Sequence, residues 1–281
     1  MSNSIVLLGG PDSGKTNYVG RVWPALDAGG GRLHAARQPE DIRFVLDVSD
    51  HLNSGSFAPR SEHADDRRDF EVAVAAVKGG EETNIVIPDI SGELWLNAAG
   101  QGEVSTELME EMRSASGALL FVRVQSELAV RPLDWVTSKK LLGKLGNDDD
   151  RGLPTQVMLC ELVRFLESTL APRSCVQRPR LSVVVSAWDL VDPGTFKLGP
   201  KAWLGREYPL FAGRLDDIEG LDLRVFGLSV VGGDLKADKA CRDDVQENGL
   251  DGRGWVAVED DGGTWRRDPD MTWPIAWAVG V

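Results

Sequence analysis

The sequence predicts an α/β protein in which a mostly parallel sheet is flanked by helices. Three observations predict this fold class. Short apolar runs recur from the first residues to about residue 231, and several of them end at glycines or polar turns. Segments with helical periodicity lie between the runs, as crossover connections between parallel strands require. Most of the runs are apolar throughout, which indicates strands buried on both faces.

The predicted elements follow in order along the chain. The first strand, 4–8, precedes a helix over 14–23 that we expect Pro24 and the glycines at 29–31 to end. The polar stretch 32–69 predicts a short helix followed by a long loop. Further strands are predicted at 70–77, 84–88, 117–124, 181–189 and 223–231, and further helices at 106–115, at 155–171 and near 200–218.

Residues 1–231 are predicted to form the main domain, with a hydrophilic insertion at about 125–153. Residues 232–281 depart from the pattern, lack a long helix signal and are predicted as an irregular annex packed on the same domain. The segment GWVAVEDDGGTWRRD within them predicts a hairpin. Three of the nine Trp lie within 265–277. This Trp-rich tail either forms an interface or covers the core in place of a terminal helix.

Composition disfavours several functional classes. The chain has 31 Lys and Arg against 44 Asp and Glu, and its net charge of -13 disfavours binding to nucleic acid. Its three Cys and three His lack the spacing of a disulfide framework or a zinc site. It has neither a signal peptide nor an apolar run of about 18 residues, so we expect a cytoplasmic protein without membrane insertion.

The segment GGPDSGKT matches the pattern G-x-x-x-x-G-K-[ST] in full and lies between a predicted strand and a predicted helix. In this pattern successive N–H groups curl around phosphates, Lys15 brings positive charge to the β and γ phosphates, and Thr16 offers a hydroxyl to Mg²⁺. The pattern predicts a P-loop NTPase; the alternative is an ordinary glycine-rich turn. The nucleotide contacts predicted here come from Gly9, Pro11, Asp12, Ser13, Gly14, Lys15, Thr16 and Asn17.

A second motif, DISGE, directly follows a predicted apolar strand. Asp89 is placed to hold Mg²⁺ through a water, and Gly92 allows its N–H to approach the γ-phosphate. Loss of that contact on hydrolysis is the physical basis of a switch. The alternative is an ordinary polar turn at the end of a strand.

These motifs resemble those of the Ras-like GTPases. The loop GGPDSGKT is most similar to the Arf branch and to the beta subunit of the signal recognition particle receptor, and DISGE is similar to the family's D-x-x-G. The segment Ser186-Ala187-Trp188-Asp189 falls where the family has [NT]-K-x-D, and Gly227-Leu228-Ser229 falls near its S-A-[KL] turn. The resemblance implies GTP and GDP as ligands, Mg²⁺ as cofactor, and base-site residues Ser186, Asp189, Leu190 and Ser229. It also implies that Ser186 ties this segment to the P-loop.

Departures from the family pattern modify this expectation. Asp189 can accept from N1–H and the 2-amino group of guanine, but Ala187 lacks the long stem that packs on the base, so we expect modest affinity with guanine preference. Asp189 is alternatively a helix-capping or strand-end residue. Glu93 stands where many members have a water-orienting Gln, which predicts slow hydrolysis; alternatively, Glu93 is a solvated turn residue.

The loop before the second strand is expected to supply a magnesium ligand. Ser61 is the predicted ligand, with Ser54 and Ser56 as competitors, and Arg60 is a candidate arginine finger in cis. The predicted catalytic residues are thus Lys15, Glu93 and Arg60, and the predicted metal ligands are Thr16, Ser61 and Asp89.

The overall layout also resembles the bacterial double-GTPase proteins, which are thought to occur in pairs in conflict or defence gene clusters. The predicted function is a GTP-hydrolysing molecular switch that controls a protein partner, either a second GTPase or an effector. Two alternatives stay open: a nucleotide-binding adaptor with negligible turnover, and an ATP-hydrolysing P-loop protein.

Overall fold

The computed structural model describes residues 2–59, 68–132, 153–170 and 178–281. Its strands form a nine-stranded sheet in the order β2-β3-β4-β1-β5-β6-β7-β8-β9. In chain order they are β1 Ser2–Leu8, β2 His34–Ala35, β3 Arg68–Ala75, β4 Thr83–Asp89, β5 Ala115–Arg123, β6 Arg180–Ser186, β7 Asp222–Ser229, β8 Trp255–Glu259 and β9 Trp265–Asp268.

The centre of the sheet is parallel and its margins are antiparallel. β1 pairs in parallel with β4 and β5, and β5, β6 and β7 continue the parallel order. β2 and β3 on one side, and β8 and β9 on the other, pair antiparallel. The mostly parallel α/β sheet predicted from the apolar runs is therefore confirmed. It brings the carboxyl ends of the five parallel strands to one edge, where ligands bind in sheets of this kind.

Helices cover both faces of the sheet. They are α1 Lys15–Ala28, α2 Arg43–Asn53, α3 Gly92–Gln101, α4 Thr106–Ser114, α5 Thr155–Thr169, α6 Pro193–Glu207, α7 Pro209–Asp216, α8 Lys239–Asn248 and α9 Trp273–Val279. Helices α1, α2, α8 and α9 contribute to the core on one face, and α3 to α7 to the core on the other. Successive residues of β1 alternate between the two cores: Ile5 and Leu7 face one, Val6 and Leu8 the other.

Several predicted helix boundaries were wrong. α1 continues through Pro24 to Ala28 because Trp23 and Leu26 on either side of the proline are buried, and this packing offsets the hydrogen bond that proline cannot make. The single helix expected near 200–218 is two helices that meet at Tyr208. Among the described residues, no helix is both long and apolar enough to cross a membrane.

A helix, α3, begins within the segment predicted as a turn. Ser91 caps it, since its hydroxyl accepts from the N–H of Leu94 at 3.3 Å. Trp95 in its second turn is fully buried, and its Nε1 donates to the carbonyl of Leu7 at 3.1 Å. α3 is therefore attached to the strand that leads into the phosphate loop.

Residues 232–281 contain the predicted hairpin, formed by β8 and β9, and two helices that the sequence pattern did not indicate. The polar helix α8 is capped by Asp238, and the terminal α9 packs on β1, β5 and β6. Tyr18 of α1 donates to the carbonyl of Met271 at 3.0 Å, and Gln246 donates to the carbonyl of Ser54 at 2.8 Å. These C-terminal residues are thus attached to the helices beside the phosphate loop.

Candidate nucleotide site

One cavity at the carboxyl edge of the sheet brings the sequence motifs together. It is lined by residues 11–17, by Ala58 and Pro59, and by residues 90–93. The amino ends of α1 and α3 both reach this cavity. Because the first N–H groups of a helix carry partial positive charge, two helix ends favour an anion at the same place.

The phosphate loop has backbone conformations that its glycines permit. Gly9 has φ +143, and a Cβ there would lie 2.8 Å from the carbonyl oxygen of Phe121. Gly14 has φ +94 and directly precedes α1. Asp12 has φ +59, which is unusual for a residue other than glycine. The glycines of the motif are therefore required by close packing against β5 and by the start of α1.

The ammonium group of Lys15 lies inside the curl of this loop. Its Nζ donates to the carbonyl oxygens of Gly9 at 2.9 Å and Gly10 at 3.3 Å, and to the hydroxyl of Ser13 at 3.3 Å. The side chain is 6% exposed. These bonds hold a positive charge within the phosphate loop, where it can attract a phosphate group.

Thr16 and Asn17 begin α1 on the cavity side. Thr16 lines the cavity, and the side-chain oxygen of Asn17 accepts from the N–H of Ala58 at 3.1 Å. Asn17 therefore joins the phosphate loop to the chain just before residue 60. Arg60 and Ser61 lie outside the described residues. Ser54, a competing candidate, donates its hydroxyl to the carbonyl of His51 at the end of α2, at 2.7 Å.

The DISGE segment meets the phosphate loop through Gly92. A Cβ at Gly92 would lie 2.4 Å from the backbone nitrogen of Pro11 and 2.6 Å from the carbonyl oxygen of Gly10. Glycine is therefore required by direct backbone packing. Asp89 ends β4 next to this contact, and its side chain lies outside what the structure describes. Glu93 is exposed and lines the cavity near the loop.

The predicted base segment is attached to the phosphate loop. The hydroxyl of Ser186 donates to the carbonyl of Ser13 at 2.7 Å, which is the link expected from the sequence. Ala187 turns the chain with φ +54, and Trp188 is fully buried next to Gly227, where a Cβ would lie 2.5 Å from the indole ring. Trp188 therefore packs the turn against β7 and leaves Asp189 partly buried beside it.

Asp189 and Ser229, from the two predicted base motifs, lie close enough together for the Ser229 hydroxyl to influence the pKa of the Asp189 carboxyl. Burial raises the pKa of the Asp189 carboxyl, while the hydrogen bond from the Ser229 hydroxyl lowers it and the nearby charge of Asp234 raises it. The Ser229 hydroxyl also accepts from the N–H of Gly232 at 3.0 Å, and the side chain is fully buried. The buried Ser229 thus favours the ionised form of the Asp189 carboxyl. Leu190 lies apart and lines a neighbouring cavity with Gln156 and Trp203.

The sequence motifs missed residues that the fold brings to the site. Arg123, at the end of β5, has Nη1 3.7 Å from a carboxylate oxygen of Asp12. Its guanidinium carbon lies 5.9 Å from the ring centre of Phe57, just before Ala58 and Pro59. An arginine at the end of an otherwise apolar strand is a signal in the sequence, but its contacts depend on the long-range fold.

The parallel sheet, the phosphate loop and the glycine that packs against it define a P-loop NTPase. The chain belongs to the double-GTPase 1 family, whose sequence profile matches residues 6–278. It is therefore a GTP-binding protein, and the family match confirms the predicted resemblance. No curated protein matches the sequence.

Among the solved structures that are similar to the chain, two illustrate the likeness. One is the signal recognition particle receptor SRb-GTP/SRX complex from Chaetomium thermophilum, at 12% identity and a TM-score of 0.39, with 88% of this chain and 98% of that chain covered. The other is Roco2 RocCORdC from Methanosarcina barkeri bound to GDP, at 12% identity and a TM-score of 0.33, with 88% of this chain and 47% of that chain covered.

Proposed function

We propose that this protein binds GTP and GDP with Mg²⁺, hydrolyses GTP slowly, and acts as a molecular switch for a protein partner, either a second GTPase or an effector. The convergence of three segments on one cavity carries the proposal. The phosphate loop, the start of α3 at Gly92, and the chain at Ala58 and Pro59 line it together. A switch needs this arrangement, because the segments that respond must touch the same phosphates.

Phosphate recognition comes from the loop and from two helix ends. The left-handed residues Asp12 and Gly14 curl the loop so that its N–H groups point inward, and Lys15 adds a full positive charge. Because the amino ends of α1 and α3 meet there, the field favours a highly charged ligand. The net charge of -13 on the whole chain does not cancel this local field, because charges farther away than about 10 Å are screened by salt.

Guanine recognition is assigned to Asp189. Its carboxylate accepts from N1–H and the 2-amino group of guanine, a pair that adenine does not offer. Ser229 favours the ionised carboxyl, and Ser186 holds the segment against the phosphate loop. The fold thereby sets the distance between Asp189, which binds the base, and the loop that binds the phosphates.

Magnesium fits the oxygen donors near the loop. Thr16 lines the cavity with a hydroxyl, Asp89 ends β4 beside Gly92, and Ser61 follows the cavity residue Pro59. Mg²⁺ prefers such oxygen ligands and needs few of them when phosphates and waters complete its shell. Bound there, the ion neutralises charge on the β and γ phosphates. Arg60, adjacent to Pro59, is proposed to add positive charge during hydrolysis.

The low rate of hydrolysis in this proposal is attributed to Glu93. It occupies the first turn of α3 on the cavity side, where a carboxylate repels the charge that develops on the γ-phosphate. The switch itself is assigned to Gly92, whose backbone packs on Gly10 and Pro11 and whose N–H is proposed to contact the γ-phosphate. The hydrogen bond between the Ala58 N–H and the Asn17 side chain is proposed to couple the phosphate loop to the segment at Ala58.

A thermal-shift panel with GTP, GDP, ATP and ADP in Mg²⁺ tests nucleotide choice, and phosphate release tests turnover. We expect stabilisation by GTP and GDP alone, with measurable but slow release of phosphate from GTP. Stabilisation by ATP would contradict the assignment of Asp189. Stabilisation by GTP without release would make the protein a nucleotide-binding adaptor.

A further inference from the structure

Arg123 carries a charge into the site from a strand that is otherwise apolar or small. It is the last residue of β5, and its side chain is 15% exposed. A guanidinium with so little access to water requires polar or anionic neighbours. The pairing of β5 with β6 sets Arg123 opposite Ser186, which is the residue that holds the phosphate loop. The sheet therefore places the charge at this loop.

Three segments of the site surround the guanidinium. Its Nη1 lies 3.7 Å from a carboxylate oxygen of Asp12 and 3.5 Å from the carbonyl oxygen of the same residue. Phe57, next to the cavity residue Ala58, lies under the guanidinium group at 5.9 Å. Burial raises the pKa of Asp189, and the charge of Arg123 opposes that rise. Arg123 thus bonds to the phosphate loop, lies next to the later segment that contains Phe57, and stands opposite Ser186 on the strand that leads into the base segment.

The phosphate loop needs such support at Asp12. With φ +59, Asp12 holds a left-handed conformation that costs energy for a residue with a side chain. Ser186 supports the adjacent Ser13, but Ala187 has no side chain beyond Cβ with which to reach the loop. Arg123 reaches both the carbonyl and the carboxylate of Asp12 from the neighbouring strand.

We propose that Arg123 is a positioning residue for the nucleotide. It holds Asp12 in the turn that directs the loop N–H groups inward, and it links this turn to the segment that carries Asp189. Its charge also adds to the local field that attracts phosphate. The inference rests on the proposed nucleotide binding, because it assigns a role within that site.

Arg180 provides a matched control. It is also a terminal residue of a strand, its Nη1 donates to the carbonyl of Trp277 at 3.1 Å, and its guanidinium stacks on the same indole at 4.4 Å. It begins β6, however, and therefore lies at the opposite edge of the sheet from the cavity. Arg180→Met removes a comparable set of structural contacts without touching the site.

The test measures the dissociation rate of fluorescent GDP and the unfolding temperature of the nucleotide-free protein for the parent, Arg123→Met, Arg123→Lys and Arg180→Met. We expect Arg123→Met to release GDP about tenfold faster, which corresponds to about 1.4 kcal/mol. Arg123→Lys should recover part of the loss because it retains the charge. Arg180→Met should release GDP at the parental rate, and the unfolding temperature of Arg123→Met should fall no further than that of Arg180→Met.

Three results would overturn the inference. Parental GDP release by Arg123→Met and Arg123→Lys, in a parent that binds GDP, would remove the positioning role and leave the proposed function intact. If Arg123→Met and Arg180→Met both release GDP faster, in proportion to the fall in their unfolding temperatures, Arg123 has only a structural role. A parent that binds no guanine nucleotide would overturn this inference and the proposed function together.

Discussion

Ser186 donates its hydroxyl to the carbonyl oxygen of Ser13 at 2.7 Å, so the segment that carries Asp189 is attached directly to the phosphate loop. Ser182, on the same strand, makes a similar bond to the carbonyl of Pro274 at 2.8 Å, away from the cavity. Both serines are buried.

Ser186→Ala and Ser182→Ala should each destabilise the fold by about 1 kcal/mol. Of the two variants, only Ser186→Ala should weaken GDP binding, by several-fold, as measured by titration calorimetry. If both variants bind GDP with the same affinity, the bond between Ser186 and Ser13 does not contribute to nucleotide binding.

Lys15→Ala should abolish nucleotide binding while the protein stays folded. The ammonium group bonds to carbonyls of the phosphate loop and contributes little to the apolar core, so its removal costs the site its charge. Circular dichroism and GDP titration measure the two effects. Lys201→Ala, which removes an exposed ion pair with Asp216, is the control and should bind normally. Parental GDP affinity in folded Lys15→Ala would disprove the phosphate-loop assignment.

Asp189→Asn should weaken guanine nucleotides and strengthen xanthine nucleotides. Xanthine has an oxygen where guanine has its 2-amino group, so an amide can donate where a carboxylate would repel. The measurement is the ratio of GDP to XDP dissociation constants in parent and variant. An unchanged ratio would mean that Asp189 does not read the base.

Ser229→Ala should shift the pH dependence of GDP binding. The hydrogen bond from Ser229 lowers the pKa of the Asp189 carboxyl, which burial raises overall. Without this bond the pKa rises further, so the ionised form that accepts from guanine is lost at a higher pH as the solution is acidified. The GDP dissociation constant, measured between about pH 5 and 8, should therefore begin to rise at higher pH in the variant. The phosphates of GDP titrate equally with both proteins, so identical profiles would argue against this role.

Glu93→Gln should hydrolyse GTP as fast as the parent or faster. A neutral amide can orient water without repelling the γ-phosphate, whereas the carboxylate disfavours the charged transition state. Glu93→Ala should change the single-turnover rate by less than about tenfold, or about 1.4 kcal/mol. Loss of hydrolysis in both variants with binding intact would instead make Glu93 an essential catalytic carboxylate.

Features set by local chemistry were predictable from the sequence. The phosphate loop needs glycines where the backbone packs closely and a lysine at its centre. These requirements fall on neighbouring residues, so a short sequence pattern is enough to recognise the loop. The link between Ser186 and Ser13 followed from placing the base segment by resemblance to known GTPases. The apolar strands were also recognisable, because burial on both faces leaves a run without polar residues.

Features set by distant packing were not predictable. Pro24 is a local stop signal, but buried Trp23 and Leu26 carry α1 past it. α8 has few apolar residues, and its place is set by contacts such as that of Gln246 with Ser54. Arg123 meets Asp12 across 111 residues of chain, so a pattern read along the sequence cannot join them.

The two margins of the sheet limit how this molecule can associate. β2 has two residues, and β9 is the short, charged segment with Arg266 and Arg267 exposed. Long, flat, apolar margins invite another chain to add a strand, and short charged ones discourage it. The protein is thereby protected from stacking into filaments through its main chain. The partner proposed for the switch would therefore have to recognise side chains and loops instead.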